Sequence, residues 1–304
     1  MLRSAFCLLL LNAAPAVRAA GPGTTGATTL TSPTGAMPAS LAGAFTAASG
    51  TLDTLGYNPA GLADIPRPSL ATWQEHRLGL GTLTASFAYA HPTKLGTVAL
   101  SLMTFDAGSV ELIDLDNNAR TVSAQKDFIY IAAYATRLDK LGLSIGSSLK
   151  YYRSTLAEAA SASAALADFG AQYKISDAWN LGLALRNVGQ SIKYIEVADP
   201  PPTALRLGAS YNRALGENQM SLFGDLIQRT HEEDTIGALG MEYGWNRFAF
   251  ARLGLKRNLK DQDAESEKVG FGVGIALKRF SFDYGMSMAD NLEDSMFFTL
   301  KWDF

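Results

Sequence analysis

The chain closes on Asp294-Ser295-Met296-Phe297-Phe298-Thr299-Leu300-Lys301-Trp302-Asp303-Phe304. Met296, Phe298, Leu300, Trp302 and Phe304 share one parity, while Phe297, Thr299, Lys301 and Asp303 share the other. In a strand, a period of two puts these sets on opposite faces. A soluble protein seldom leaves so apolar a face on its last strand. A transmembrane β-barrel does, because each strand shows lipid on one face and a lumen on the other.

The pattern recurs upstream. Val269, Phe271, Val273, Ile275 and Leu277 alternate with Gly270, Gly272, Gly274 and Ala276. Phe280, Phe282, Tyr284, Met286 and Met288 alternate with Ser281, Asp283, Gly285 and Ser287. From about Ser69 onward period two dominates. Strands are predicted near 69–76, 80–91, 95–105, 126–137, 141–152, 164–174 and 179–192, then near 202–213, 218–228, 235–243, 247–257, 268–277, 279–289 and 294–304. These make about fourteen, an even number, as single-chain bacterial barrels have. The connections alternate as well. Pro92-Thr93-Lys94, Leu138-Asp139-Lys140, Ser176-Asp177, Ala214 to Glu217, Gly244-Trp245-Asn246 and Lys278 are short. Asp106 to Lys126, Ser154 to Ser163, Tyr194 to Pro201 and Asn258 to Glu267 are longer. Short periplasmic turns facing longer external loops would put both termini in the periplasm. Val110 to Ile113 and Thr121-Val122 suggest a small hairpin within the longest loop.

The amino terminus reads as a signal peptide over 1–19. Arg3 supplies the positive region, Ala5 to Leu11 the apolar run, and Val17-Arg18-Ala19 the cleavage site. The mature chain is expected to begin near Ala20, which removes the single cysteine, Cys7. Without Arg3 and Arg18 the balance is 24 basic residues against 29 acidic ones. No basic stripe points to nucleic acid. No later apolar run is long enough for a membrane helix.

Residues 20–67 precede the barrel, 68–304, and do not alternate. Small residues carry spaced Phe45, Leu55, Tyr57 and Leu62, which suits a segment packed in a confined space. Gly43-Ala44-Phe45-Thr46-Ala47, then Asp53, then Asn58-Pro59-Ala60-Gly61-Leu62-Ala63, resembles the N-terminal hatch signature of the FadL superfamily. Weaker similarity to the PorV/PorQ branch lies in Asp168-Phe169-Gly170, Leu185-Arg186-Asn187-Val188-Gly189 and Gly240 to Tyr243. The chain is shorter than typical fatty-acid transporters of this superfamily and lacks long helical lids, which favours that branch. The resemblance implies a fourteen-stranded outer-membrane barrel of a Gram-negative-type bacterium, with its N-terminus inside as a plug. Aromatics at Trp302 and Phe304 resemble the C-terminal signal read by the outer-membrane assembly machinery.

Parity aims Lys150, Asp168, Arg186, Arg206, Asp225, Glu242, Arg252 and Asp283 at the lumen. Adjacent strands would bring Arg206 to Asp225 and Glu242 to Arg252. An unpaired charge in a partly dry interior is costly, so a salt-bridged lining is expected. Catalytic and metal chemistry finds no support. His76, His91 and His231 are scattered, Asp114-Leu115-Asp116 lacks the glycine and glutamate of a calcium loop, and no Ser/His/Asp set converges. No cofactor is expected. Outer-membrane lipid is the expected surrounding. The resemblance implies passive transport of small hydrophobic molecules or, alternatively, a PorV/PorQ-type role with secretion-system proteins. A continuous apolar cavity would favour transport; a filled lumen with an exposed apolar rim would favour a protein partner.

Overall fold

A computed structural model describes residues 25–113, 117–260, 268–289 and 294–304. The predicted signal peptide and Asp114-Leu115-Asp116 lie outside the described residues. In chain order the strands are Ser69–Arg77 (β1), Thr82–Thr93 (β2), Gly96–Asp106 (β3), Ser109–Ile113 (β4), Ala119–Ser123 (β5), Gln125–Leu138 (β6) and Leu143–Leu156 (β7). Ala160–Lys174 (β8), Trp179–Gly189 (β9), Ile192–Lys193 (β10), Ala198–Asp199 (β11) and Ala204–Leu215 (β12) follow. Asn218–Arg229 (β13), Thr235–Trp245 (β14), Ala249–Asn258 (β15), Lys268–Leu277 (β16), Phe280–Ala289 (β17) and Ser295–Asp303 (β18) complete the set. Fourteen of them close a barrel in the order β1-β18-β17-β16-β15-β14-β13-β12-β9-β8-β7-β6-β3-β2. β4 pairs with β5 and β10 with β11 as two-stranded sheets outside it.

Every neighbouring pair in the barrel is antiparallel, and β1 seals against β18 from Ser69↔Asp303 to Arg77↔Ser295. No edge is left, which a hydrocarbon surrounding demands of a sheet. The apolar parity faces outward: Leu149, Leu239, Val273, Phe282 and Leu300 are exposed. The other parity faces inward and is buried, including Lys150, Asp168, Glu242 and Asp283. A polar interior with an apolar exterior is the inverse of a soluble core and marks a transmembrane barrel. No helix among the described residues is long and apolar enough to cross a membrane.

The loop predicted from Ser154 to Ser163 is a correction. β7 and β8 continue pairing through Arg153↔Ser163 and Thr155↔Ser161, leaving only Ala157–Ala159 as the turn. Backbone ladder bonds need no large side chain, so the Ala/Ser run reads as loop although it is strand. β9 also stops earlier than predicted, at Gly189, and β12 starts later, at Ala204. Pro200, Pro201 and Pro202 have no N–H to give a ladder.

Phe304 N donates to Pro68 O at 2.8 Å, so the C-terminus sits at the end of the short turns. Thr25 Oγ1 donates to Glu232 Oε1 at 2.7 Å, in the connection between β13 and β14 at the opposite end. The first described residue, Thr25, and the last therefore lie at opposite ends of the barrel.

Candidate functional site

The barrel interior is occupied by residues 25–65. This stretch forms 3-10 turns at Thr28–Thr31, Leu52–Gly56 and Pro59–Asp64 and one short helix at Ala36–Ser40. Asn58 caps the last turn: its side chain accepts from Ala60 N at 3.1 Å, with Pro59 in the first position. Its Nδ2 donates to Thr46 O at 2.8 Å and to Ala171 O of β8 at 3.2 Å. A turn residue thus ties the segment to itself and to the wall.

Glycines on the inner parity make room. A Cβ on Gly270 would lie 2.5 Å from Ala39 O, and one on Gly254 would overlap the Leu41-Ala42 backbone. The clean Gly alternation of β16 is therefore a bed for the segment. Gly35 adopts φ +103°, and a side chain there would meet Asp53 and Trp73. Both conformation and space require glycine.

Three charged clusters line the wall. In the first, Lys150 Nζ lies 2.6 Å and Arg186 Nε 4.0 Å from Asp168 Oδ2. Lys150 Nζ also donates to Asn187 Oδ1 at 2.7 Å, and Asn187 N to Asp168 Oδ1 at 2.7 Å. In the second, Arg206 Nη2 donates to Asp225 Oδ2 at 2.7 Å and to Gly43 O at 2.6 Å. Asp225 also accepts from Phe45 N at 3.2 Å, Thr46 N at 3.1 Å and Thr46 Oγ1 at 2.5 Å. In the third, Arg252 bridges Glu242 and Asp283 at 2.6 Å each. Lys301 Nζ lies 3.5 Å from Asp283 Oδ2 and pairs with Asp53, whose other oxygen accepts from Trp73 Nε1. The register brings together Arg206 with Asp225 and Glu242 with Arg252. Gly61 packs on Ala48 and Thr54 within the segment and reaches no charged cluster.

Parity reasoning missed three groups. Lys301 is one. Gln172 and Asn180 are the others, donating to Ala48 O at 2.7 Å and Ala47 O at 2.8 Å. Asp53 is the only acidic residue from 20 to 63, so a cation such as Lys301 on the inward parity of β18 was its legible partner. Trp302 and Phe304 stand outside, ring centroids 4.1 Å apart, at the short-turn end.

Tyr57 sits between the clusters, 5.1 Å below the Arg206 guanidinium carbon and 5.4 Å edge-on to Phe45. Burial pushes its hydroxyl from 10.0 up to about 12, against the opposing pull of Arg206 and Arg186. The folded state favours the protonated phenol. This contribution to stability is complete below pH 10 and is lost as pH rises toward about 12. Tyr57→Phe should remove a step near pH 12 from the ultraviolet tyrosinate titration; an unchanged titration would contradict this placement.

The lumen holds one sizeable cavity among the described residues, about 350 Å³ at the short-turn end. Ser144, Gln172, Asn180, Ser210, Gln219 and Ser221 line it. It is polar. An apolar groove of about 610 Å³ runs instead along the outer wall, floored by Ala209, Gly224 and Gly237 and walled by Leu181, Leu207 and Leu239. No group of three or more metal-ligating side chains gathers among the described residues.

No family model matches the chain, and none of the curated proteins matches it in sequence. Solved structures do match in shape. The Pseudomonas putida toluene transporter TodX is 12% identical, with 89% of this chain and 98% of that one covered and a TM-score of 0.60. A Pseudomonas aeruginosa FadL homologue is 11% identical, with 89% and 98% covered and a TM-score of 0.57. The Acinetobacter baumannii outer membrane protein Omp33 is 6% identical, with 78% and 98% covered and a TM-score of 0.50. At such identities the likeness is one of fold: the chain is a closed, fourteen-stranded barrel with the architecture of these outer-membrane proteins.

Proposed function

We propose that the chain is a non-enzymatic outer-membrane barrel through which small hydrophobic molecules pass passively, with residues 20–67 serving as its hatch. The observation that carries this reading is the seam between β9 and β12. Their backbone ladder stops at Arg186↔Ala204. Beyond it, side chains bridge the strands: Asn187 Nδ2 donates to Pro202 O at 3.1 Å and Thr203 Oγ1 to Asn187 O at 2.9 Å. Asn187 is the extra residue of a bulge against β8, with φ 55°. Gly26 N donates to Pro200 O at 3.0 Å, so a shift of the hatch pulls on the seam. The apolar outer groove begins three ladder pairs below, at Leu183↔Leu207. An apolar solute leaving there meets leucine and lipid. The shared fold with a toluene transporter supports the same reading.

The test is uptake of a labelled aromatic hydrocarbon into proteoliposomes with a lipopolysaccharide outer leaflet. Uptake should depend on the protein, rise severalfold in Asn187→Ala/Thr203→Ala, and not extend to a labelled sugar. Equal uptake without protein, or equally fast sugar entry, would contradict it.

A second reading, an interaction component of a secretion system, draws on the filled lumen and on exposed Ile113, Ile195 and Val197 at the loop end. Under that reading Ile195→Asp/Val197→Asp abolishes co-purification of an exported protein and leaves hydrocarbon uptake unchanged.

A further inference from the structure

Four of the six short turns of the barrel carry a cation, and beside each of the other two a cation stands at or near the end of the adjoining strand. Lys94 follows β2, Lys140 follows β6, Lys174 ends β8, Arg213 lies near the end of β12, Arg247 follows β14, and Lys278 and Arg279 follow β16. Each is exposed. Lys174 is satisfied by Asp177 at 2.7 Å, but the other six make no ion pair among the described residues. Near them, Asp139 is engaged by Arg137 at 3.1 Å, which leaves Glu217 as the exposed acidic side chain of these turns. The opposite end is mixed: exposed Glu111, Glu158, Glu196 and Glu233 stand among Arg120, Arg153, Lys193 and Lys260.

Just inside this cationic ring stand outward aromatics. Tyr134, Tyr173, Trp179, Trp245, Phe280 and Trp302 are all exposed, spread around the same end of the barrel. Aromatic rings of this kind mark the headgroup level of a membrane, and cations immediately beyond them meet phosphates. We propose that the short-turn rim is a binding surface for the phosphate groups of anionic glycerophospholipids in the leaflet it borders. Charge sign, spacing at every turn or the strand end beside it, and height relative to the aromatic belt favour lipid over an acidic protein, which would engage one side of the ring. The inference goes beyond transport and holds whether or not the barrel conducts.

The full-length protein, folded in detergent and judged folded by its heat-shifted gel mobility, is mixed with equimolar phosphatidylglycerol and phosphatidylcholine for native mass spectrometry. Phosphatidylglycerol should be retained preferentially at low salt and lose its advantage in 0.5 M salt, where the Debye length falls to about 4 Å. Arg247→Gln/Lys278→Gln/Arg279→Gln should weaken that preference by about fivefold per cation removed. Arg120→Gln/Arg153→Gln/Lys193→Gln, at the opposite end, should leave it unchanged. Equal retention of the two lipids, an unaltered preference in the rim variant, or loss of a bound acidic protein with lipid preference intact would each overturn the proposal. If the triple rim variant does not fold, Lys278→Gln/Arg279→Gln is read the same way.

Discussion

Deletion of residues 21–63 converts a closed barrel into a conducting one. In planar bilayers the truncated protein should show discrete, stable channels where the intact protein shows none. Every ladder from β1 to β18 lies outside the deleted stretch, so the wall keeps its hydrogen bonds. Inside, Gly240, Gly254, Gly270 and Gly285 lose the backbone they cradle and Gly272 the Ser40 side chain. A barrel of eight strands is filled by its own side chains, whereas sixteen or more leave a water channel. Fourteen strands with glycines on the inner parity fall toward the open case. Unchanged conductance would mean the segment does not block the lumen.

Asp225→Ala has the largest expected effect of any single substitution. That carboxylate receives the backbone N–H groups of Phe45 and Thr46, the Thr46 hydroxyl and the Arg206 guanidinium. Its removal leaves Arg206 buried without its ion-pair partner, at a cost of about 3–5 kcal/mol, as for one partner of a buried pair. It also frees the turn at Phe45 from β13. Urea unfolding in lipid micelles should show the loss, and brief channel openings should accompany it. Arg206→Met/Asp225→Ala should recover part of the stability, since the stranded charge is gone. A loss below about 1 kcal/mol would place Asp225 in water and not at the contact between segment and wall.

The strands were legible because two solvents act on them. Lipid outside and a polar lumen inside force a strict alternation that a soluble sheet, sharing one core, does not require. Leu205 and Leu207 outward with Arg206 inward illustrate it. Where the wall rises beyond lipid the rule lapses, and Ser161 and Ser163 of β8 read as loop. The bulge at Asn187 was hidden for another reason. It depends on backbone geometry and on three prolines across the seam, which leave no periodic trace. Of the polar lining, parity marked the charges on the strands, but a parity rule is silent about which of them hold the inner segment. Gln172 and Asn180 grip carbonyls of that segment, and their neutrality gave no cue. Lys301 was masked by the apolar terminal strand that first revealed the fold.

The outward leucines contact acyl chains while the inward parity meets protein. Two variants with a single tryptophan each measure this directly in bilayers of acyl-brominated lipid: one keeps only Trp73, the other carries only Leu239→Trp. Strong quenching at position 239 and none at Trp73 is the predicted result. Equal quenching of both, or of neither, would contradict it.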